Sequence, residues 1–281
     1  MGMGRCCCCG ICREESGSDG GLQGENPSMW RERWGSRESL GLRVAEWVGI
    51  RMLGGMPDVA RLFIESSTPR ASLALLRGSE VVFEESFAGD RSHNAMLFAP
   101  LERALAMLEA DERLGEVVIG TGPGSYSGTR VGIAAGQGVA LVHGCPACGL
   151  SSLLAVPSAR GGRGLAVGDA RRGSAWRARI EGANLVAGPE LCGVAEVLDE
   201  VDVAREGDCP VFSIEPVVFE GLEVSVEQPD ARRLGFAWLA LGLEERAALA
   251  ALPLQPAYLR PPHVTLAKGG HPLLRNRVGL A

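Results

Sequence analysis

One stretch of the chain gathers residue types that could do chemistry. It is Gly120-Thr-Gly-Pro-Gly-Ser-Tyr-Ser-Gly-Thr-Arg130, which follows an apolar run and opens a helical pattern. Backbone amides of a glycine-rich loop entering a helix N-terminus can cradle a phosphate. Three sharper templates fail on it. A P-loop needs GxxxxGK followed by Ser or Thr, and Gly128 is followed by Thr129 and Arg130 with no Lys. A nucleophile elbow needs GxSxG, and here Tyr126 holds the centre between Gly124 and Gly128. A dinucleotide fingerprint fits only loosely through Gly122, Gly124 and Gly128, because no acidic residue closes the next extended segment and the preceding strand is the fourth rather than the first. Two readings of Gly122, Pro123, Gly124, Ser125, Tyr126, Ser127, Gly128 and Arg130 therefore stand: a phosphate or nucleotide contact, or a tight strand-to-helix turn.

Nine cysteines offer a second chemistry. Cys6 to Cys9 and Cys12 contain CxxC spacings, but no second pair or His cluster follows at zinc-finger distance. Cys145-Pro-Ala-Cys148 has thioredoxin-type spacing. Redox pairs of that kind open a helix after a strand, where the helix dipole lowers the thiol pKa. This pair follows a helix and leads into an extended segment, so it reads as incidental. Cysteine use otherwise suits a reducing cytosol. The four histidines, His93, His143, His263 and His271, form neither HxxxH nor HExxH, so no metal-ligand set is visible and no metal site is expected.

The elements that position these residues must come from 281 residues, 46% apolar and 22% charged. That length suits about two domains, with enough chain to bury a core without metals or disulfides. The longest apolar runs fall far short of the roughly 20 residues of a membrane helix. A net charge of −6 with 28 Lys and Arg argues against a dedicated nucleic-acid clamp. Residues 1–58 stand apart: the Cys cluster, a Gly/Ser/Asp/Glu stretch from Glu14 to Glu25, and Trp30, Trp34 and Trp47 follow no sustained period. Leu42 to Ile50 is the one passable amphipathic piece. The stretch lacks the parts of a signal peptide, and it reads as a disordered or non-native N-terminal extension.

From Val59 the pattern becomes that of an α/β protein. Strands are expected over Arg61–Glu65, Ala71–Arg77 and Glu80–Phe87, the last two joined by a Gly78-Ser79 hairpin turn. Leu97, Leu101, Leu105 and Leu108 recur at helical spacing, with Pro100 either starting or kinking the helix. Glu116–Gly120 is a fourth strand, and a second helix runs from about Thr129 to His143. Between Val131 and Val142 only Gln137 is clearly polar. Val131, Ala135, Gly138 and Val142 share one face, and such a helix is buried on more than one side. A second unit opens near Gly149 with a short helix over Ser151–Val156. Strands follow over Leu165–Asp169, Ser174–Glu181 and Leu185–Ala187, then a helix over Val194–Val201 and strands Val211–Ser213 and Val224–Val226. A long Ala/Leu helix spans Arg232–Leu252, and a Pro-rich run follows. Each unit reads as a mixed sheet with helices on it.

Five segments, taken in order, resemble one family. They are Ile64-Glu-Ser-Ser-Thr68 with Ala71-Ser-Leu-Ala-Leu75; Ser92-His-Asn-Ala-Met-Leu-Phe-Ala-Pro100; Gly122-Pro-Gly-Ser-Tyr-Ser-Gly-Thr-Arg-Val-Gly-Ile133; Asp169-Ala-Arg171; and Tyr258-Leu-Arg260. They resemble the TsaB (YeaZ) family of the bacterial tRNA threonylcarbamoyladenosine pathway, over about residues 61–262. The resemblance implies an actin/sugar-kinase/Hsp70-like (ASKHA) fold of two related subdomains. The first would span 59–148, completed by the helix near 230–252; the second would span 149–229, and 253–281 would be an extended tail. It also implies a cytoplasmic, non-catalytic subunit that pairs with the transferase TsaD, with TsaE as ATPase partner. TsaD modifies adenosine 37, so tRNA would be reached through the complex, and ATP or ADP would act only at that level, with no intrinsic cofactor. A homodimer in isolation is also implied. In such a protein the partner face is carried by the first two helices, through Leu97, Leu101, Leu105, Val131, Ala135, Gly138 and Val142. One departure is plain: Glu65 stands where the family has Asp, and the longer carboxylate shifts any metal–phosphate geometry. The alternatives are a stand-alone enzyme of the same fold, kinase or peptidase-like, and a dinucleotide oxidoreductase.

The pattern change at Met56 yields a direct expectation. A chain beginning at Met56 should melt at the same temperature as the full-length protein in a thermal scan. A drop of several degrees would show that residues 1–55 pack on the domain.

Overall fold

The computed structural model describes residues 59–88, 96–217, 219–220 and 222–259. The N-terminal cysteine cluster, His93, Arg260, His263 and His271 lie outside them. Two five-stranded sheets organise the chain. The first takes β1 (Ala60–Glu65), β2 (Arg70–Arg77), β3 (Glu80–Ala88), β4 (Glu116–Gly120) and β5 (Ala147–Leu150), in the order β3-β2-β1-β4-β5. The hairpin strands pair antiparallel, and β1–β4 and β4–β5 pair parallel. The second takes β6 (Arg163–Asp169), β7 (Ser174–Glu181), β8 (Asn184–Gly193), β9 (Val211–Ser213) and β10 (Ser225–Val226), in the order β8-β7-β6-β9-β10. Its directions match those of the first sheet: β6–β7 and β7–β8 antiparallel, β6–β9 and β9–β10 parallel. The two sheets are one topology used twice, the paired arrangement that the resemblance implies.

Strand alternation explains how these sheets stack. On β1, Leu62 and Ile64 face α1 (Phe98–Leu105) and α2 (Tyr126–His143), together with Leu73, Leu75, Val117 and Ile119. Phe63 points the other way and joins Leu76 and Val118 in a second cluster. That cluster takes in Leu234 and Trp238 of α4 (Ala231–Ala240) and Trp176 and Phe212 of the second sheet. A third cluster seats Val197, Val201 and Ala204 of α3 (Val194–Glu206) on Leu165 and Val167, on the far face of the second sheet. A period of two along each strand thus supplies both faces of each sheet. No helix of the described residues is long and apolar enough to cross a membrane.

Several boundaries differ from the periodicity. The long helix expected over 232–252 is two: α4 and α5 (Leu243–Ala251), separated at Leu241 and Gly242. The Ala/Leu pattern runs through the break, but the Glu245 carboxylate accepts from the Gly242 N–H at 2.7 Å and starts a new helix there. Similarly, α2 begins at Tyr126 rather than Thr129, because Ser125 is its N-cap and accepts from the Gly128 N–H at 3.2 Å. In α1, Pro100 lies in the first turn, where its missing N–H leaves no helical bond unmade. The expected short helix near 151–156 is a 3-10 turn over Ser152–Ala155.

A charged staple joins α4 to the first sheet. Arg61 Nε donates to Glu116 Oε1 at 2.6 Å, and the Trp238 indole N–H donates to the same oxygen at 2.8 Å. Both charges are largely buried, so removing one leaves the other desolvated and unpaired. Glu116→Ala should therefore lower unfolding free energy by about 3 kcal/mol, read as a shift of the urea midpoint with the m-value unchanged.

Candidate functional site

Two concave surfaces meet at α2, and each gathers one set of the residues singled out above. The first lies between the two sheets. It is a cleft of about 420 Å³ lined by the glycine loop, by Asp169 to Arg171, by Trp176 and Glu215, and by Pro256 to Leu259. Three of the five sequence segments therefore converge on one cavity, at the C-terminal ends of parallel strands, where open α/β sheets place ligands. Glu215 and Trp176 escaped the sequence reading. Glu215 lies just past the C-terminal end of β9, on the side of the glycine loop.

Local hydrogen bonding decides what the glycine loop presents to this cleft. Gly124 has φ +146°, and a Cβ there would overlap the Ser67 carbonyl oxygen. That same oxygen accepts from the Ser125 N–H at 2.6 Å. The Gly122 N–H goes to Ser152 Oγ at 3.0 Å and the Gly128 N–H to Ser125 Oγ at 3.2 Å. The Thr121 and Thr129 N–H groups go to Leu150 O and Ser125 O. A phosphate cradle needs such amides turned outward; five of them are spent inside the protein, and Pro123 has none. Those five amides tie the loop down in a turn that locks the helix to β1.

The carboxylates near the loop divide by position. Glu65, at the end of β1, is fully buried behind the loop against Gly120 and does not line the cleft. Burial pushes its carboxyl above the ordinary range, against the pull of the Ser67 amide, which donates to Oε1 at 2.7 Å. Asp169 stays at the cleft, where it accepts from the Arg171 backbone N–H at 2.7 Å and from Arg171 Nη1 at 3.0 Å. Burial likewise raises the Glu215 carboxyl, opposed by a hydrogen bond from the Trp176 indole and by the Arg171 charge. Cys145 and Cys148 are free thiols, and burial raises both, Cys148 to about 11. That is opposite to an activated redox pair.

The second surface is a groove of about 610 Å³ on the outer side of the first sheet. Its walls are Phe98, Leu101 and Leu105 of α1 and Val131, Ala135, Gly138 and Val142 of α2. Phe98 is 58% exposed, Leu141 84% and Val142 79%. Phe98 and Leu141 were not singled out by the sequence. Leu97 is placed differently from the expectation: it is 2% exposed and belongs to the core against the sheet. With regular helix starting at Phe98, the positions 97, 101 and 104 turn inward, while Phe98 and Leu105 flank the groove. The close seating of α2 has a visible cause. A Cβ on Gly136 would stand 2.7 Å from Ile119 Cγ1, so glycine is what lets the helix backbone approach the sheet there. By contrast, Gly138 has nothing within 4 Å of its Cβ direction and opens outward.

Known proteins resemble this chain in sequence or in architecture. A family model described as TsaD, tRNA N6-adenosine threonylcarbamoyltransferase, matches residues 86–271. An uncharacterized protein of Mycobacterium tuberculosis is 30% identical over 143 residues, 48% of this chain and 66% of the relative. One from Mycobacterium leprae is 36% identical over 102 residues, 36% of this chain and 27% of the relative. The chain thus spans just under two thirds of the Mycobacterium tuberculosis relative. Among solved structures, a Pseudomonas aeruginosa protein described as similar to peptidase YEAZ is 22% identical, with a TM-score of 0.54 over 72% of this chain and 100% of that one. YeaZ from Pseudomonas aeruginosa is 20% identical, with a TM-score of 0.50 over the same shares. At those identities the structures speak to the fold, which is ASKHA-like. With two thirds of its length matched by the family model, the chain belongs to the TsaD family of tRNA N6-adenosine threonylcarbamoyltransferase, and within that family its motifs and fold resemble TsaB (YeaZ).

Proposed function

We propose that this chain is a TsaB-like subunit that binds and supports a TsaD transferase in threonylcarbamoyl modification of adenosine 37 of tRNA, without catalytic residues of its own. The observation that carries the reading is the groove between α1 and α2. Its walls are apolar apart from His143, Val142 on its wall and the neighbouring Leu141 stand almost fully in water, and an exposed apolar patch of this kind marks an interaction site. Two helices that flank an open apolar groove suit a partner helix pair that completes a bundle. The spent loop amides support the same division of labour, because nucleotide chemistry then falls to the partners. TsaE and tRNA join through the complex in the cytoplasm, ATP or ADP acts at that level, and the same apolar face can pair two copies of this chain when TsaD is absent.

Ala135 is the test position, since it lines the groove and is only half-buried in the isolated chain. Ala135→Glu should leave circular dichroism and melting near wild type. Co-elution with TsaD from the same source should be lost, because an unpaired charge in a closed apolar interface costs a few kcal/mol or more, about 100-fold in affinity. Val142→Glu should behave alike. Leu97→Glu is the contrasting variant: its charge enters the core, so it should unfold the protein rather than spare it. Normal co-elution of Ala135→Glu and Val142→Glu would move the docking face elsewhere.

A further inference from the structure

The exposed edge of α2 continues past the groove. Tyr126, Arg130, Ala134, Gly138 and Val142 are spaced four apart and all exposed, so they form one ridge along the helix. Its last three members line the groove. The first two are of another chemistry. The Arg130 guanidinium lies over the Tyr126 ring, 3.9 Å from its centroid. It also donates through Nε and Nη2 to the Tyr258 hydroxyl, at 2.9 and 2.7 Å. The two tyrosine rings are 5.9 Å apart. A cation is thereby held at a fixed point about 6 Å, one helical turn, beyond Ala134 and the apolar stripe.

No ion pair among the described residues involves Arg130, whereas Arg103 on α1 is paired with Glu85. The Tyr258 contact uses the Nε and one Nη2 proton, so the Nη1 edge still offers its donors. An exposed arginine ordinarily loses much rotamer freedom when it pairs; here the rings have already removed that freedom. Arginine and tyrosine are also the side chains that dominate interface energetics. The groove is lined mostly by Ala, Gly, Val and Leu, with Phe98 on one wall and His143 at the end away from Arg130, and its aliphatic stretch places little constraint on sliding of a partner helix by one turn. A single polar contact at its end fixes the register, as a lone polar position does in a coiled coil.

We propose that Arg130 is the polar anchor of this docking surface: the partner helix that fills the groove carries an Asp or Glu about one turn beyond its apolar residues, and that carboxylate pairs with the guanidinium held by Tyr126 and Tyr258. The inference rests on the reading of the groove as the TsaD docking face and adds the charge and register of the helix it receives. A carboxylate is the partner chemistry that the fork matches, and in a chain of net charge −6 a preorganised cation also orients the approach of an acidic helix end.

Calorimetric titration of the full chain with TsaD from the same source, at about 50 and 300 mM NaCl, separates the possibilities. Arg130→Gln should leave the melting temperature unchanged, weaken binding about tenfold at low salt and remove most of its salt dependence. Arg130→Lys should keep the salt dependence but recover only part of the affinity, because an ammonium lacks the planar fork. Tyr258→Phe keeps the charge and releases the side chain, so binding should weaken a few-fold with the salt dependence intact. If Ala135→Glu abolishes binding while Arg130→Gln binds as wild type with an unchanged salt slope, the anchor is overturned and the docking face stands. If Ala135→Glu binds normally, the docking face falls and the anchor with it.

Discussion

The contact on which the rest of the molecule depends is the close approach of the glycine loop and α2 to the end of β1. Ser67 offers its carbonyl to the Ser125 N–H, and Ser66 donates its hydroxyl to the Gly128 carbonyl at 3.0 Å. Gly124, Gly128 and Gly132 each turn toward these serines at distances that leave no room for a Cβ. Backbone meets backbone, so the helix axis is fixed against the sheet to within tenths of an ångström. From that one constraint follow the cleft, whose wall is the loop, and the groove, whose wall is the opposite side of the same helix. A substitution in this seam would move both surfaces together.

The same contact engages amides that a phosphate site would turn outward. A glycine-rich turn entering a helix is compatible with either role, and the choice rests on where the amides point. Here five of them, those of Thr121, Gly122, Ser125, Gly128 and Thr129, point inward, to Leu150, Ser152, Ser67 and Ser125. Glu65 follows the same logic. It is sealed beneath Gly120, and burial raises its carboxyl above the ordinary range, opposed by hydrogen bonds from Ser67 and Ser152.

Much of the architecture was legible because β-strand and turn signals are local. The spans of β4 and β7 and the Gly78-Ser79 turn follow directly from apolar runs and breakers, and the second sheet's hairpin from Arg171-Arg-Gly173. What the sequence concealed was decided at a distance or by a single cap. The break between α4 and α5 is invisible to a period count because Leu241 and Gly242 sit in an Ala/Leu run, and the Glu245 side chain settles it. The rotation of α1 was hidden for a related reason. Leu97, Leu101 and Leu105 form one stripe on paper, but a helix resting on a sheet and bordering a groove divides that stripe between the two. Glu215 and Trp176 were hidden because the cleft is assembled from strands of both sheets, and no spacing in the chain connects them to residue 124.

The two sheets share one strand order, so they offer a controlled comparison of their outer faces. The second is covered by α3, whose outward positions carry Glu196, Asp199 and Asp202, the usual composition of a solvated face. On the first, α2 carries Arg130 as its one Lys, Arg, Asp or Glu. Its outward residues include Leu141 and Val142, which contribute almost nothing to the core, since most of each side chain remains in water. Polar replacements there would cost the isolated fold little, because surface changes away from packing or caps are nearly neutral. Folding of this chain therefore gives no physical reason for the apolar character of that face. On the docking proposed above, a covering helix would recover roughly 25 cal/mol for each Å² of that surface taken from water.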